Sequence, residues 1–206
     1  MEPFTRWQAI AAPIDERNLD TNQLCPTRFN KVALADPDYQ RILFNNQRFD
    51  DAGIELSGFI LNTPPYREAG VLVGDENFGC GSSRETAVYA LLAFGIRSVI
   101  APSFGDIFHN NALKNGLLPV RLAREVCDDL RTQLHARPGA TITVDLQTQL
   151  VTAPDASEHA FEVHPKARRC LLEGLDEIGL TLQNQTAIDA FEAHYKPAVH
   201  WIYAQR

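Results

Sequence analysis

The chain has 206 residues, of which 45% are apolar and 22% charged, with a formal net charge of −7. That size and balance fit one globular domain, with room for a small appended lobe, and the negative charge argues against a nucleic-acid surface. No apolar run reaches the length of a membrane span and the N-terminus lacks a signal-peptide core, so the expectation is a soluble cytoplasmic protein that does not enter a membrane. The four cysteines, Cys25, Cys80, Cys127 and Cys170, are scattered without a Cys-x-x-Cys pair. This spacing speaks against a zinc or iron–sulfur site held by the chain, and for reduced thiols. Cys80 reads as a small apolar filler rather than a nucleophile, because no histidine lies near it in sequence.

Taken in order, Trp7 to Ile14 reads as a first strand and Asp15 to Pro26 as a polar loop in which Asp20, Thr21 and Asn22 are natural turn and cap formers. Arg28 and Lys31 place two cations close together, either on a solvated surface or as a second anion contact. Tyr39, Ile42 and Leu43 stand at helical spacing within Asp36 to Gly58, which predicts a short helix. Pro64-Pro65 cannot continue a helix or a central strand. The whole of 31–68 is therefore expected to be irregular and is a candidate mobile flap over a site.

Ala69 to Gly74, with Val71, Leu72 and Val73 at its centre, is a short buried strand, and Asp75 to Gly81 a turn around Gly79-Cys80-Gly81. Ser82-Ser83-Arg84-Glu85 then opens a helix whose buried face is Ala87, Ala90, Leu91 and Phe94, ended by Gly95. Ser98 to Ala101 returns as a strand, which makes a βαβ unit with its loop at a strand's carboxyl end, where open α/β sheets bind ligands. Ser103, with Asp106 three residues on, is expected to cap the next helix, with Phe104, Ile107 and Phe108 inward and Gly116 as its stop. Leu117 to Val120 is a further strand, and Ala123 to Ala136 an amphipathic helix. Thr141 to Leu146 and Gln149 to Thr152 form a hairpin, and Phe161 to His164 one more strand. Pro165 starts a short helix, Gly174 to Gly179 is a compact turn, and Thr186 to Tyr195 is a last helix with Ile188 and Phe191 inward. The tail, 197–206, is expected to fray or to dock on a partner.

The glycine turn carries the chemistry. A helix start attracts anions through unpaired N–H groups, and Arg84 adds a planar fork that suits a carboxylate or phosphate. Ser82-x-x-Glu85 equally matches a capping box that does no more than close a helix end. On residue types alone both readings stand.

Family resemblance separates them. Asn77-Phe78-Gly79-Cys80-Gly81-Ser82-Ser83-Arg84-Glu85 resembles the signature of the swivelling domain of the aconitase superfamily and, within it, of the small subunit of bacterial 3-isopropylmalate dehydratase. Further blocks agree: Val99 to Phe104 with Asp106-Ile107-Phe108, Asn115 to Val120, and Arg168-Arg169-Cys170 leading to Gly174-Leu175-Asp176 and Ile178 to Gln183. The resemblance implies an α/β fold, a swivelling β/β/α domain occupying 1–206. It implies a hydro-lyase subunit that isomerises 2-isopropylmalate to 3-isopropylmalate by dehydration and rehydration, in leucine biosynthesis. It implies a large-subunit partner bearing a [4Fe–4S] cluster, with no cofactor or metal in this chain, and a small hydroxy-diacid as substrate. By motif, Ser82 matches the catalytic base, and Ser83 and Arg84 match residues that bind a substrate carboxylate. Arg28, Asn30 and Thr21 fall in the segment matching further substrate contacts. Self-association of the isolated chain is compatible with all of this.

Two departures stand out: Asn22 replaces the second aspartate of an Asp-Thr-Asp pattern, and Asn30 replaces a leucine. They leave open a related dehydratase acting on a dimethylmalate- or citramalate-type acid. A non-catalytic carboxylate-binding module is the alternative of a different class. A nucleotide-binding domain is disfavoured, because the phosphate-loop glycine spacings are absent.

Overall fold

The computed structural model describes residues 1–81 and 84–203. Its centre is a seven-stranded curled sheet in the order β4-β3-β2-β1-β5-β6-β7. β1 (Arg6–Pro13), β2 (Val71–Val73), β3 (Ser98–Ala101) and β4 (Leu118–Arg121) run parallel, in register Ala12 to Leu72, Leu72 to Val99 and Val99 to Pro119. β5 (Thr141–Asp145) pairs antiparallel with the first half of β1, and β6 (Leu150–Thr152) and β7 (Glu158–Ala160) extend that side.

β2 and β3 are buried on both faces, as are the last three residues of β1 and the first three of β4, in keeping with their apolar runs. Alternation sends Ala12, Leu72, Val99 and Ala101 into one apolar cluster and Ala11, Val71, Val73, Ile100 and Val120 into another. The first cluster is covered by α3 (Thr86–Phe94), through Ala87, Ala90 and Leu91, and by α4 (Asp106–Asn115), through Phe108 and Ala112. The second is covered by α5 (Arg124–Ala136), through Cys127, Leu130 and Leu134. Gly95 and Gly116, at φ +108° and +87°, close α3 and α4 in a left-handed conformation that a side chain resists.

The remaining helices are α1 (Thr21–Leu24) and α2 (Asn45–Arg48) before the sheet closes, and α6 (Pro165–Glu173), α7 (Glu177–Leu182), α8 (Gln185–Ala198) and α9 (His200–Tyr203) after it. Segment 31–68 is mostly irregular, with short 3-10 turns at Tyr39–Arg41, Ile60–Asn62 and Tyr66–Glu68; the expected trio Tyr39, Ile42 and Leu43 sits on and after the first of these, and the one α-helical turn, α2, follows it. Its apolar side chains Tyr39, Ile42, Leu43, Phe44, Leu61 and Tyr66 belong to the first cluster. Buried Arg48 ties it internally, donating to Asn62 Oδ1 (3.0 Å) and to the carbonyls of Gln40 and Leu43.

Several expectations are corrected. Ser103 does not cap α4: the cap position is Gly105, and the Ser103 hydroxyl accepts the Asn77 N–H at 2.8 Å. Ile107 points outward at 47% exposure, because α4 starts one residue before it and turns Phe104 and Phe108 inward instead. The last strand is Glu158–Ala160 rather than 161–164. Its ladder ends at the Leu150–Ala160 pair, and Phe161 folds into the core just past it. Gly174 to Gly179 is not one turn. Gly174 ends α6, and the Asp176 side chain accepts the Gly179 N–H to start α7. Phe191 is 63% exposed, since α8 buries no residue.

Candidate functional site

Three loops meet at the carboxyl ends of β1, β2 and β3. The middle one is the glycine turn. Gly79 (φ +71°) and Gly81 (φ +91°) both adopt left-handed backbone, and a Cβ on Gly79 would drive into the Phe108 ring. The turn is stitched on both sides. Gly79 N–H and Cys80 N–H both donate to the Leu19 carbonyl (2.8 and 3.2 Å), and Thr21 N–H donates to the Cys80 carbonyl (3.0 Å). On the other side Phe78 N–H donates to Ser103 O and Gly105 N–H to Phe78 O (3.0 and 2.9 Å). Gly105 has no room for a side chain, as its Cβ would lie 2.6 Å from Gly79 O. The rings of Phe78, Phe104 and Phe108 pack edge-on and stacked beneath.

The capping box of this region is on α1, not α3. Asp20 accepts the N–H groups of Asn22 (2.6 Å) and Gln23 (2.9 Å), and Gln23 Oε1 accepts the Asp20 N–H (2.8 Å). The Ser82–Glu85 box is thereby corrected. α3 begins at Thr86, so Glu85 occupies the cap position itself, and its carboxylate accepts the Tyr89 hydroxyl at 2.9 Å. Ser82 and Ser83 lie outside the described residues.

Arg84, at the end of the glycine turn, reaches across to the loop that follows β1. Its Nη1 donates to Asn22 Oδ1 (2.9 Å) and to Thr27 Oγ1 (2.7 Å), and the Thr27 hydroxyl donates in turn to Asn22 Oδ1 (2.8 Å). Asn30 accepts the Thr86 hydroxyl at 3.3 Å. Asn30, Arg84, Glu85, Thr86, Tyr89 and Asn111 line one open cleft of about 550 Å³. Thr21 is buried under the turn, its hydroxyl 4.0 Å from where a Gly81 Cβ would sit. Arg28 is placed next door. It donates to Asn45 Oδ1 at 2.6 Å, lies over the Phe29 ring, and lines a separate cleft of about 490 Å³ with Arg41 and Asp50. The structure thus gathers Arg84, Asn30 and Thr21 around the turn and sets Arg28 on the far side of the Thr27–Asn30 stretch.

Burial raises the Cys80 thiol above its ordinary value, and Asp20 adds to the effect; its Sγ donates to the Asn18 carbonyl. A thiol held protonated is a filler, not a nucleophile. Burial also raises the Tyr89 phenol, helped by its bond to Glu85, so Tyr89 stays protonated with its one hydrogen given to Glu85 at the rim of the cleft. Among the described residues no group of three or more His, Cys, Asp or Glu side chains is placed to hold a metal ion.

The charge cluster beneath the turn was not anticipated from the sequence. Buried Asp75, just past β2, accepts from Arg131 Nη2 (3.1 Å) and Arg124 Nη1 (3.2 Å), and Arg17 lies 3.7 Å away. Arg131 also donates to the Gly74 carbonyl at 2.6 Å and pairs with Asp15 at 3.2 Å. A signal existed: Arg124 and Arg131 are seven apart on an amphipathic helix, hence on one face.

A curled mixed sheet, parallel on one side of β1 and antiparallel on the other, with a glycine turn and an arginine at its strand ends fits an aconitase-type domain, and a family model described as the aconitase C-terminal domain matches residues 1–125. A model described as LeuD_N matches 128–165, and one for the C-terminal domain of the 3-isopropylmalate dehydratase small subunit matches 177–201. The chain belongs to the family of 3-isopropylmalate dehydratase small subunits, partners in a hydro-lyase. A small subunit of that name from Gluconacetobacter diazotrophicus is 51% identical over 98% of this chain and 97% of its own length. One from Dinoroseobacter shibae is 48% identical over 98% and 100%. The crystal structure of a 3-isopropylmalate dehydratase chain (leuD) from Methanocaldococcus jannaschii superposes with a TM-score of 0.63 at 25% identity, covering 91% of this chain and 99% of that one. These names do not favour a dimethylmalate- or citramalate-type dehydratase or a non-catalytic module. Small-subunit membership implies a large-subunit partner, and no helix among the described residues is long and apolar enough to cross a membrane.

Proposed function

We propose that this chain completes the active site of a heteromeric dehydratase that interconverts 2-isopropylmalate and 3-isopropylmalate. The observation that carries the reading is Arg84, held between the glycine turn and the loop after β1 beside an open cleft. A [4Fe–4S] cluster on the large subunit would supply a Lewis acid for the substrate hydroxyl. This chain supplies the other half. Arg84, with Ser83, binds a substrate carboxylate, Asn30 lines the same cleft, Thr21 supports the turn from beneath, and Arg28 offers a second cation in the neighbouring cleft. Ser82 takes the proton from the carbon next to the carboxylate as hydroxide leaves the neighbouring carbon. Proton and hydroxide together make water, and its return in the opposite sense gives the isomer.

A serine hydroxyl is a very weak acid, so its alkoxide must be stabilised. The guanidinium two residues along the chain supplies positive charge oriented in advance of the reaction. The rim of segment 31–68 beside Arg28 is the part expected to close over the bound acid. We place the protein in the cytoplasm, a reading that its four unpaired cysteines support.

The test is anaerobic reconstitution with the large subunit. Ser82→Ala is expected to lower kcat by on the order of a hundredfold or more while the two chains still associate. Unchanged turnover in that complex removes Ser82 from proton transfer.

A further inference from the structure

Asn22 and Thr27 are what Arg84 touches. Nη1 carries two hydrogens, and both are spent: one on Asn22 Oδ1 at 2.9 Å, one on Thr27 Oγ1 at 2.7 Å. The triangle closes because the Thr27 hydroxyl donates to the same Asn22 oxygen at 2.8 Å, which fixes the direction of its proton. An amide oxygen has two lone pairs, so Asn22 Oδ1 accepts both bonds without conflict. Asn22 is itself fixed, its N–H held by the Asp20 carboxylate at 2.6 Å, and Asp20 pairs with Cys80 of the glycine turn. The triangle and the turn are one unit.

What remains of the guanidinium is its other edge, Nε–H and Nη2–H. Neither is bonded to an acceptor among the described residues. Those two parallel N–H bonds are the pair that fits the two oxygens of a carboxylate. Both acceptors on Nη1 are neutral, so Arg84 is oriented without its positive charge being compensated. An aspartate at position 22 would orient it equally well but would spend part of that charge and repel an incoming dianion.

We propose that Asn22 and Thr27 are positioning residues that clamp one edge of Arg84, presenting the opposite edge, at full charge, to a carboxylate of the substrate. This rests on the carboxylate-binding role proposed above for Arg84. Both residues are exposed, so their replacement does not endanger the fold.

In the holoenzyme reconstituted with the large subunit, Asn22→Ala combined with Thr27→Val is expected to raise KM for 3-isopropylmalate about tenfold with a much smaller change in kcat. Thr27→Ser, which keeps the hydroxyl, is expected to hold KM near its original value. Asn22→Asp is expected to raise KM while leaving the thermal midpoint unchanged. The decisive arm repeats the Asn22/Thr27 pair in an Arg84→Ala background, where its effect on KM is expected to vanish, because the pair acts only through Arg84. An unchanged KM for the pair in the Arg84 enzyme, or an equal rise in both backgrounds, overturns the positioning role while leaving Arg84 as carboxylate ligand. An Arg84→Ala enzyme with normal KM overturns the ligand role itself, and the positioning proposal with it.

Discussion

At the scale of single residues, the site depends on positions where a side chain cannot be added. Gly79 combines a left-handed backbone at φ +71° with a Cα facing the Phe108 ring. Gly79→Ala therefore meets both a conformational penalty and an overpacked aromatic cluster. It is expected to destabilise the fold by about 2–4 kcal/mol, read as a lower midpoint in denaturant unfolding. A midpoint within error of the parent's would show that the turn relaxes freely and that its glycine is not what shapes the site. This position was legible in the sequence, because glycines flanking a cysteine after a short apolar strand point to a close backbone approach. The partners of Arg84 were not. Asn22 and Thr27 lie 62 and 57 residues away along the chain, and nothing local to either announces an arginine.

Strands and helices raise a different question, namely what holds the turn at the carboxyl end of β2. The answer is α5, whose Arg131 reaches under β2 to bond the Gly74 carbonyl and the Asp75 carboxylate. Arg131→Met keeps the length and apolar stem of the side chain but leaves the Gly74 carbonyl without that donor and Asp75 with Arg124, the more distant Arg17 and the Glu76 N–H. Since an incompletely paired buried charge is costly, a loss of about 2–3 kcal/mol is expected in thermal or denaturant unfolding. A neutral or stabilising result would mean that these remaining partners satisfy Asp75. Alternation and helical period made β1 to β4 and α3 to α5 readable, because each element buries faces that its own pattern marks. Segment 31–68 was harder. Its core residues Tyr39, Ile42 and Leu43 were visible as an apolar trio, but the turn that carries them is tight rather than α-helical, and it is held by bonds from Arg48 that no periodicity encodes.

Over the whole molecule, the body and the C-terminal arm obey different rules. In the body, apolar stripes found their partners: both sheet faces are covered. In the arm the stripe is real but uncovered. Ile178, Leu182, Phe191, Trp201 and Ile202 are each more than half exposed. Phe191 stacks on Tyr195 with ring centroids 5.1 Å apart, not on the sheet. A period of 3.6 identifies which side of a helix is apolar but says nothing about what lies against it, which is why Phe191 reads as inward from sequence. If α8 and α9 bury nothing in this chain, removing them should cost the body nothing. A chain ended after Asn184 is expected to keep its circular dichroism per residue in the sheet region and to melt within about 2 °C of the full chain, since surface changes away from packed features stay within about half a kcal/mol. The cut spares the Lys114–Glu177 ion pair and the Arg169–Gln183 hydrogen bond, which tie α7 to the body, so a shift cannot be assigned to them. A fall of more than about 5 °C, equivalent to well over a kcal/mol for a chain of this size, would instead mean that the arm packs onto the sheet's helices in solution.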